Sequence, residues 1–125
     1  MLVHNRKDAK ILHPPHGSEI RPLMDRTIGP ITQCSLAEET LPPGKTVSPH
    51  HHEVLEEIYY ILSGSGVMTI GAESQAVSAG DAIYIPKNNV HTLTNTGDDD
   101  MKILLVCGPA FYFEDHIFQP RIDTN

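Results

Sequence analysis

The sequence predicts an all-β fold, a sandwich or barrel of eight or nine short strands, and three observations lead there. From residue 31 onward the chain is written in short apolar or alternating runs, the pattern of half-buried strands. Gly, Pro, Asn and Asp interrupt those runs at close intervals, as tight turns require. No segment sustains the apolar period of about 3.6 residues that a long amphipathic helix needs.

The elements follow in order. Residues 1–30 are rich in Pro, His and charge with only brief apolar stretches, so they read as an arm outside the core, suited to covering an edge strand. Strands are expected at 31–38, 46–52, 57–62, 67–70, 75–77, 82–85, 90–95 and 102–106, with a weaker one at 111–114. Pro42-Pro43-Gly44, Ser63-Gly64-Ser65-Gly66, Gly71-Ala72-Glu73, Ala79-Gly80-Asp81, Pro86-Lys87-Asn88-Asn89 and Gly97-Asp98-Asp99-Asp100 supply the turns. Residues 119–125 read as a frayed tail, leaving 31–118 as the β domain.

A chain of 125 residues supports one hydrophobic core without disulfide staples and has no room for a second. Sixteen Asp and Glu against nine Lys and Arg give a net charge of −7, and no basic cluster offsets it. That balance repels phosphate backbones and anionic headgroups, so neither nucleic acid nor membrane is an expected partner. No apolar run has the length of a signal peptide or a bilayer span, and a cytoplasmic address is the resulting expectation. Cys34 and Cys107 lack a CxxC neighbour and read as small buried side chains.

Eight histidines, three of them consecutive, are the compositional anomaly. On an extended segment His50 and His52 project from one face and His51 from the other, so the triplet supplies two converging imidazoles. A carboxylate follows at Glu53, Glu56 or Glu57, and alternation alone does not choose among them because a turn resets the parity. His91 lies far along the chain in another expected strand. Three imidazoles and one carboxylate suit Fe, Mn, Ni, Zn, Co or Cu, whereas Ca and Mg prefer oxygen shells. Burying that set together without a cation leaves polar groups uncompensated. His4, His13, His16 and His116 read as ordinary surface or satisfied histidines. Asp98-Asp99-Asp100 reads as a solvated turn, and Ser48 lacks the elbow motif of a nucleophile. Carried through the hairpin, the alternation puts Tyr59, Ile61, Val67 and Thr69 on one interior face, where they would line a pocket, with Gln33, Cys107 and Phe111 as weaker candidates.

Gly44-x5-His50-x-His52-x4-Glu57-x6-Gly64 resembles the first motif of the cupin superfamily, and Gly80-x5-Pro86-x-Asn88-x2-His91-x3-Asn95 resembles the second. One position departs from the pattern: Asn88 stands where the family usually has Gly, and Asn is the residue that best tolerates the positive φ of such turns. The resemblance implies a jelly-roll barrel, or double-stranded β-helix, with His50, His52, Glu57 and His91 as ligands of one divalent transition metal. The spacing to Gly64 is what selects Glu57, and Asn95 takes a structural role. It further implies a homodimer and a metal-dependent enzyme of oxygenase or isomerase/lyase type, acting on a small polar metabolite coordinated to the metal. Tyr59 is the candidate acid or base. The alternative is a metal-dependent small-molecule binding or sensor module without catalysis.

Overall fold

A computed structural model describes residues 1–119, and all but the first residue of the expected tail at 119–125 lies outside the described residues. Among the described residues ten strands run in order β1 (Glu19–Met24), β2 (Ser35–Leu41), β3 (His50–His51), β4 (Glu56–Ser63), β5 (Ser65–Ile70), β6 (Glu73–Ser78), β7 (Ala82–Ile85), β8 (His91–Asn95), β9 (Met101–Gly108) and β10 (Ile117–Phe118). They form two five-stranded antiparallel sheets, β1-β2-β9-β4-β7 and β10-β3-β8-β5-β6. This is the two-sheet jelly-roll barrel that the resemblance implies. Among the described residues no helix is long and apolar enough to cross a membrane.

Alternation decides what faces inward. On β4 the buried positions are Glu57, Tyr59 and Ile61, while Glu56, Ile58, Tyr60 and Leu62 are exposed. On β8 they are His91, Leu93 and Asn95. Leu41, Val47, Ile61, Met68, Leu93, Met101 and Ile103 pack as one apolar cluster that fills one end of the barrel. Asn95 closes that end: its amide N–H groups donate to the Leu41 and Asp99 carbonyls, each at 2.8 Å, and its side-chain oxygen accepts from Gly97 N at 2.9 Å. His50 pairs with His91 across β3 and β8 near the opposite, open end.

Several expected elements shift or disappear. β1 lies within residues 1–30, where no strand was expected, and pairs with β2 as the edge of its sheet. The strand expected at 31–38 begins only at Ser35, because the Thr32 carbonyl bonds outside the ladder, to Ala110 N at 3.1 Å and Arg26 at 3.3 Å. That loop leaves Cys34 exposed, contrary to the buried reading, whereas Cys107 is buried. Of 46–52 only His50–His51 is regular strand, joined by one isolated bridge from Thr46 to Thr94. The weak strand at 111–114 is absent. A 3-10 turn (Phe113–Asp115) takes its place and leads into β10.

Asn88 adopts φ 65°, the left-handed conformation its turn demands, and donates its backbone N–H to the His52 carbonyl at 2.6 Å. Asn88→Gly is therefore expected to leave the melting temperature unchanged or slightly raised. Asn88→Ala should cost about 1 kcal/mol, read by urea unfolding, and equal stability of the two variants would contradict the strain argument.

Candidate metal centre

Three strands bring the four side chains together. His50 opens β3, His91 opens β8 directly opposite it, and Glu57 comes from the start of β4 in the facing sheet. His52 follows β3 in the segment bent toward β4. One ligand atom from each of His50, His52, Glu57 and His91 lies within 4.8 Å of all the others, and all four residues are buried. Glu56 points outward and accepts a hydrogen bond from the Tyr84 hydroxyl at 2.6 Å, so register resolves the carboxylate in favour of Glu57. Glu53 is exposed beside the outward-facing His51, at 3.6 Å.

Each imidazole is pinned from behind. Nδ1 of His50 donates to the Ser48 carbonyl at 2.8 Å, that of His52 to the Asp115 carbonyl at 2.7 Å, and that of His91 to the Asn89 carbonyl at 3.1 Å. A carbonyl only accepts, so the ring proton sits on Nδ1 and the neutral ring carries its lone pair on Nε2. Nε2 of His52 and of His91 each lie 3.4 Å from Glu57 Oε1, and all three atoms are buried without a hydrogen-bond partner. Buried polar atoms in that condition are rare, and a cation satisfies all of them at once. The residues present fit a divalent transition metal.

The electrostatics agree in direction. Burial, reinforced by His91 and His116, pushes the His50 pKa down to about 2. Burial alone would raise the Glu57 pKa, but the His52 and His91 rings facing its carboxylate outweigh burial and hold the group at about 2. Burial would lower the His52 pKa, and Glu57 reverses this to a net rise. A cation entering this cluster would compete with a proton for His52, whose pKa is raised, and would meet His50 neutral and Glu57 ionised.

His116 and Asp115 escaped the sequence reading, whereas the weaker pocket candidates Cys107 and Phe111 do line the site. His116 stacks on His50 at 4.0 Å between centroids and 14° between planes, and burial followed by the charge of His52 lowers its pKa to about 4. Asp115 closes the His52–Leu55 bend, its carboxylate accepting from the backbone N–H groups of Glu53, Val54 and Leu55. The Cys107 thiol donates to Glu57 Oε2 at 3.4 Å, and burial, then the carboxylate, pushes its pKa up. A cavity of about 530 Å³ opens beside the cluster, with His50, His52, Glu57, Tyr59, Cys107 and Phe111 among its walls. Of the four pocket candidates only Tyr59 lines it. Ile61 belongs to the apolar cluster, and on β5 the buried positions are Gly66 and Met68, so Val67 and Thr69 sit on the other face. The cause is a bulge: the β4–β9 register slips between Ile61 and Ser63, and the extra residue reverses the alternation before the chain crosses at Gly64 into the other sheet, where a hairpin was expected. Gln33 is exposed and does not line the cavity.

The acid response of the metal-free protein follows from these groups. His50 and His116 have depressed pKa values, so their stabilising contribution is present above the unfolded value near 6.5 and is lost as pH falls toward about 4 and below. Glu57 acts in the same sense below 4.5, and His52, whose pKa is raised, acts in the opposite sense. The melting temperature of chelator-treated protein should fall between pH 6.5 and 4, and a flat profile would contradict the burial of these rings.

A family model described as a cupin domain matches residues 37–107. An uncharacterised protein of Methanocaldococcus jannaschii is 42% identical over 99 residues, covering 79% of each chain. The oxalate-binding protein of Thermotoga maritima is 40% identical over 70 residues, 56% of this chain and 58% of that one. Among solved structures, a predicted oxalate decarboxylase of Thermotoga maritima superposes with a TM-score of 0.74 and 28% identity, over 86% of this chain and 99% of the other. With more than half its length matched, and with both motifs delivering their side chains to one point, the chain belongs to the cupin family.

Proposed function

We propose that this cupin is a metal-dependent enzyme of oxygenase or isomerase/lyase type, acting on a small polar metabolite that coordinates the metal through His50, His52, Glu57 and His91. The observation that carries this reading is the set of inward-aimed, unpartnered Nε2 and Oε1 atoms at the wall of a mostly apolar cavity. A bound Fe, Mn, Ni, Zn, Co or Cu ion supplies Lewis acidity and an anchor for a chelating group there. The chain's own residues do the rest. The Ser48, Asp115 and Asn89 carbonyls hold the three rings in register, and the apolar walls exclude water. Tyr59 is 2% exposed; burial, with the nearby Glu57 and Glu39, keeps its phenol protonated, so it presents an O–H to a bound molecule.

A binding or sensor module is the second reading. Its support is the scarcity of free acid–base groups, since every ligand ring already has its second nitrogen engaged, and the naming of a relative as an oxalate-binding protein. Elemental analysis of protein purified without added metal, followed by oxygen uptake and metabolite turnover with Fe(II)-, Mn(II)- and Ni(II)-loaded protein, separates them. Turnover supports the enzyme. A compound that raises the melting temperature without being altered supports the module. Protein that takes up no metal removes both. A homodimer is part of the proposal, supported by the outward-facing Ile58, Tyr60, Leu62 and Tyr84, which are 39 to 57% exposed; a monomer by light scattering would remove it.

A further inference from the structure

The cavity has a second polar wall, away from the metal ligands. Glu39 shares the inward face of β2 with Ser35 and Ala37 and is 2% exposed, an unusual place for a carboxyl group. Its Oε2 accepts from the Ser18 hydroxyl at 2.5 Å and from His16 Nε2 at 3.0 Å. The donor assignment is fixed from the far side of the ring, where Nδ1 accepts the Ser48 backbone N–H at 3.2 Å. Oε1 has no hydrogen-bond partner among the described residues, and Glu39 lines the cavity. Pinning residues 12–18 to the sheet needs only one carboxyl oxygen. The second is left for an occupant.

Register sets the separation. Ser35, Cys107 and Glu57 form one row across β2, β9 and β4; Ala37, Leu105 and Tyr59 form the next; Glu39, Ile103 and Ile61 the one after. Glu39 therefore lies two strands across and four residues along from Glu57, a backbone separation of about 16 Å. The wall between carries Ala37, Leu105 and Tyr59, which offer carbon surface and one phenol.

We infer that Glu39, oriented by His16 and Ser18, is a recognition site for a hydroxyl or ammonium group on a ligand whose other end binds at the metal centre and whose body is apolar. This rests on the metal-dependent reading above and narrows its substrate class. A compact dianion such as oxalate reaches one pole only, and a second anionic group would meet a carboxyl acceptor. The occupant is instead an extended molecule with a chelating head, a hydrocarbon or aromatic middle and a distal hydrogen-bond donor.

The test uses 4-phenylbutanohydroxamic acid and its para-hydroxy and para-aminomethyl derivatives, titrated by calorimetry into metal-loaded and metal-free protein. Wild type should bind at least one para-substituted probe about tenfold more tightly than the parent. Glu39→Gln keeps the shape and an acceptor for Ser18 while turning the cavity-facing group into a donor. It should abolish that preference, most strongly for the ammonium probe, with affinity for the parent and the melting temperature unchanged. An undiminished preference in Glu39→Gln, equal binding of all three probes by wild type, or no binding of any probe overturns the inference. Failure of the metal reading looks different: hydroxamates bind no more tightly with metal than without, while the para preference and its dependence on Glu39 persist.

Discussion

Asp115→Ala is expected to cost about 3 kcal/mol of stability and to lower metal affinity on the order of tenfold or more. The carboxylate is buried and receives three successive backbone N–H groups, from Glu53 at 2.9 Å, Val54 at 3.1 Å and Leu55 at 2.9 Å. Alanine leaves those donors without an acceptor around Leu55, which is 0% exposed, and unsatisfied buried donors cost more than the hydrogen bonds themselves contribute. Asp115→Asn retains one acceptor oxygen but turns an amide N–H toward the same donors, so it should fall between wild type and alanine. The loss reaches the metal because the Asp115 carbonyl also accepts from His52 Nδ1, so loosening this segment frees the ring to rotate. Urea unfolding reads the first effect and a competitive metal titration the second. A variant that unfolds at the wild-type midpoint would show that the bend between β3 and β4 holds itself.

What the sequence discloses here is what local geometry fixes. A two-residue period is enough to converge His50 and His52 and to send His51 outward, and the motif spacing distinguishes Glu57 from Glu56 where alternation does not. The rest depends on partners remote in the chain. β1 carries Pro22 and two charges, Glu19 and Arg21, which argue against a strand, yet an edge strand tolerates both, and the register shift between Pro22 and Met24 absorbs the irregularity. Val67 and Thr69 were misplaced by one bulged residue, invisible in a period count. Asp115 and His116 acquire their roles only because β10 returns to pair with β3, Ile117 opposite His51, 66 residues upstream in the chain. His16 looks ordinary until folding places it beside Glu39, 23 residues away.

The largest expected contrast is between two histidines of similar appearance in the sequence. His91→Ala removes an imidazole whose side chain is 0% exposed and whose Nε2 faces Glu57 at 3.4 Å, so metal content by elemental analysis should drop at least tenfold. His51→Ala removes a ring on the opposite face, partly exposed and 3.6 Å from an exposed Glu53, and should leave metal content unchanged, with stability altered by roughly 0.5 kcal/mol or less. Stability must follow occupancy. An ion that binds the folded state alone at 100 times its dissociation constant contributes about 2.7 kcal/mol, so chelator should lower the melting temperature of wild type and of His51→Ala. The same treatment should leave His91→Ala, which has little metal to lose, almost unmoved. The sign is robust to overpacking or cavity effects, because those act on the melting temperature with and without chelator alike, while the chelator-dependent difference reports only the ion. Equal metal in the two variants, or a wild-type melting curve indifferent to chelator, would remove the cation from the centre of the barrel and leave the burial of three imidazoles and a carboxylate without a physical cause.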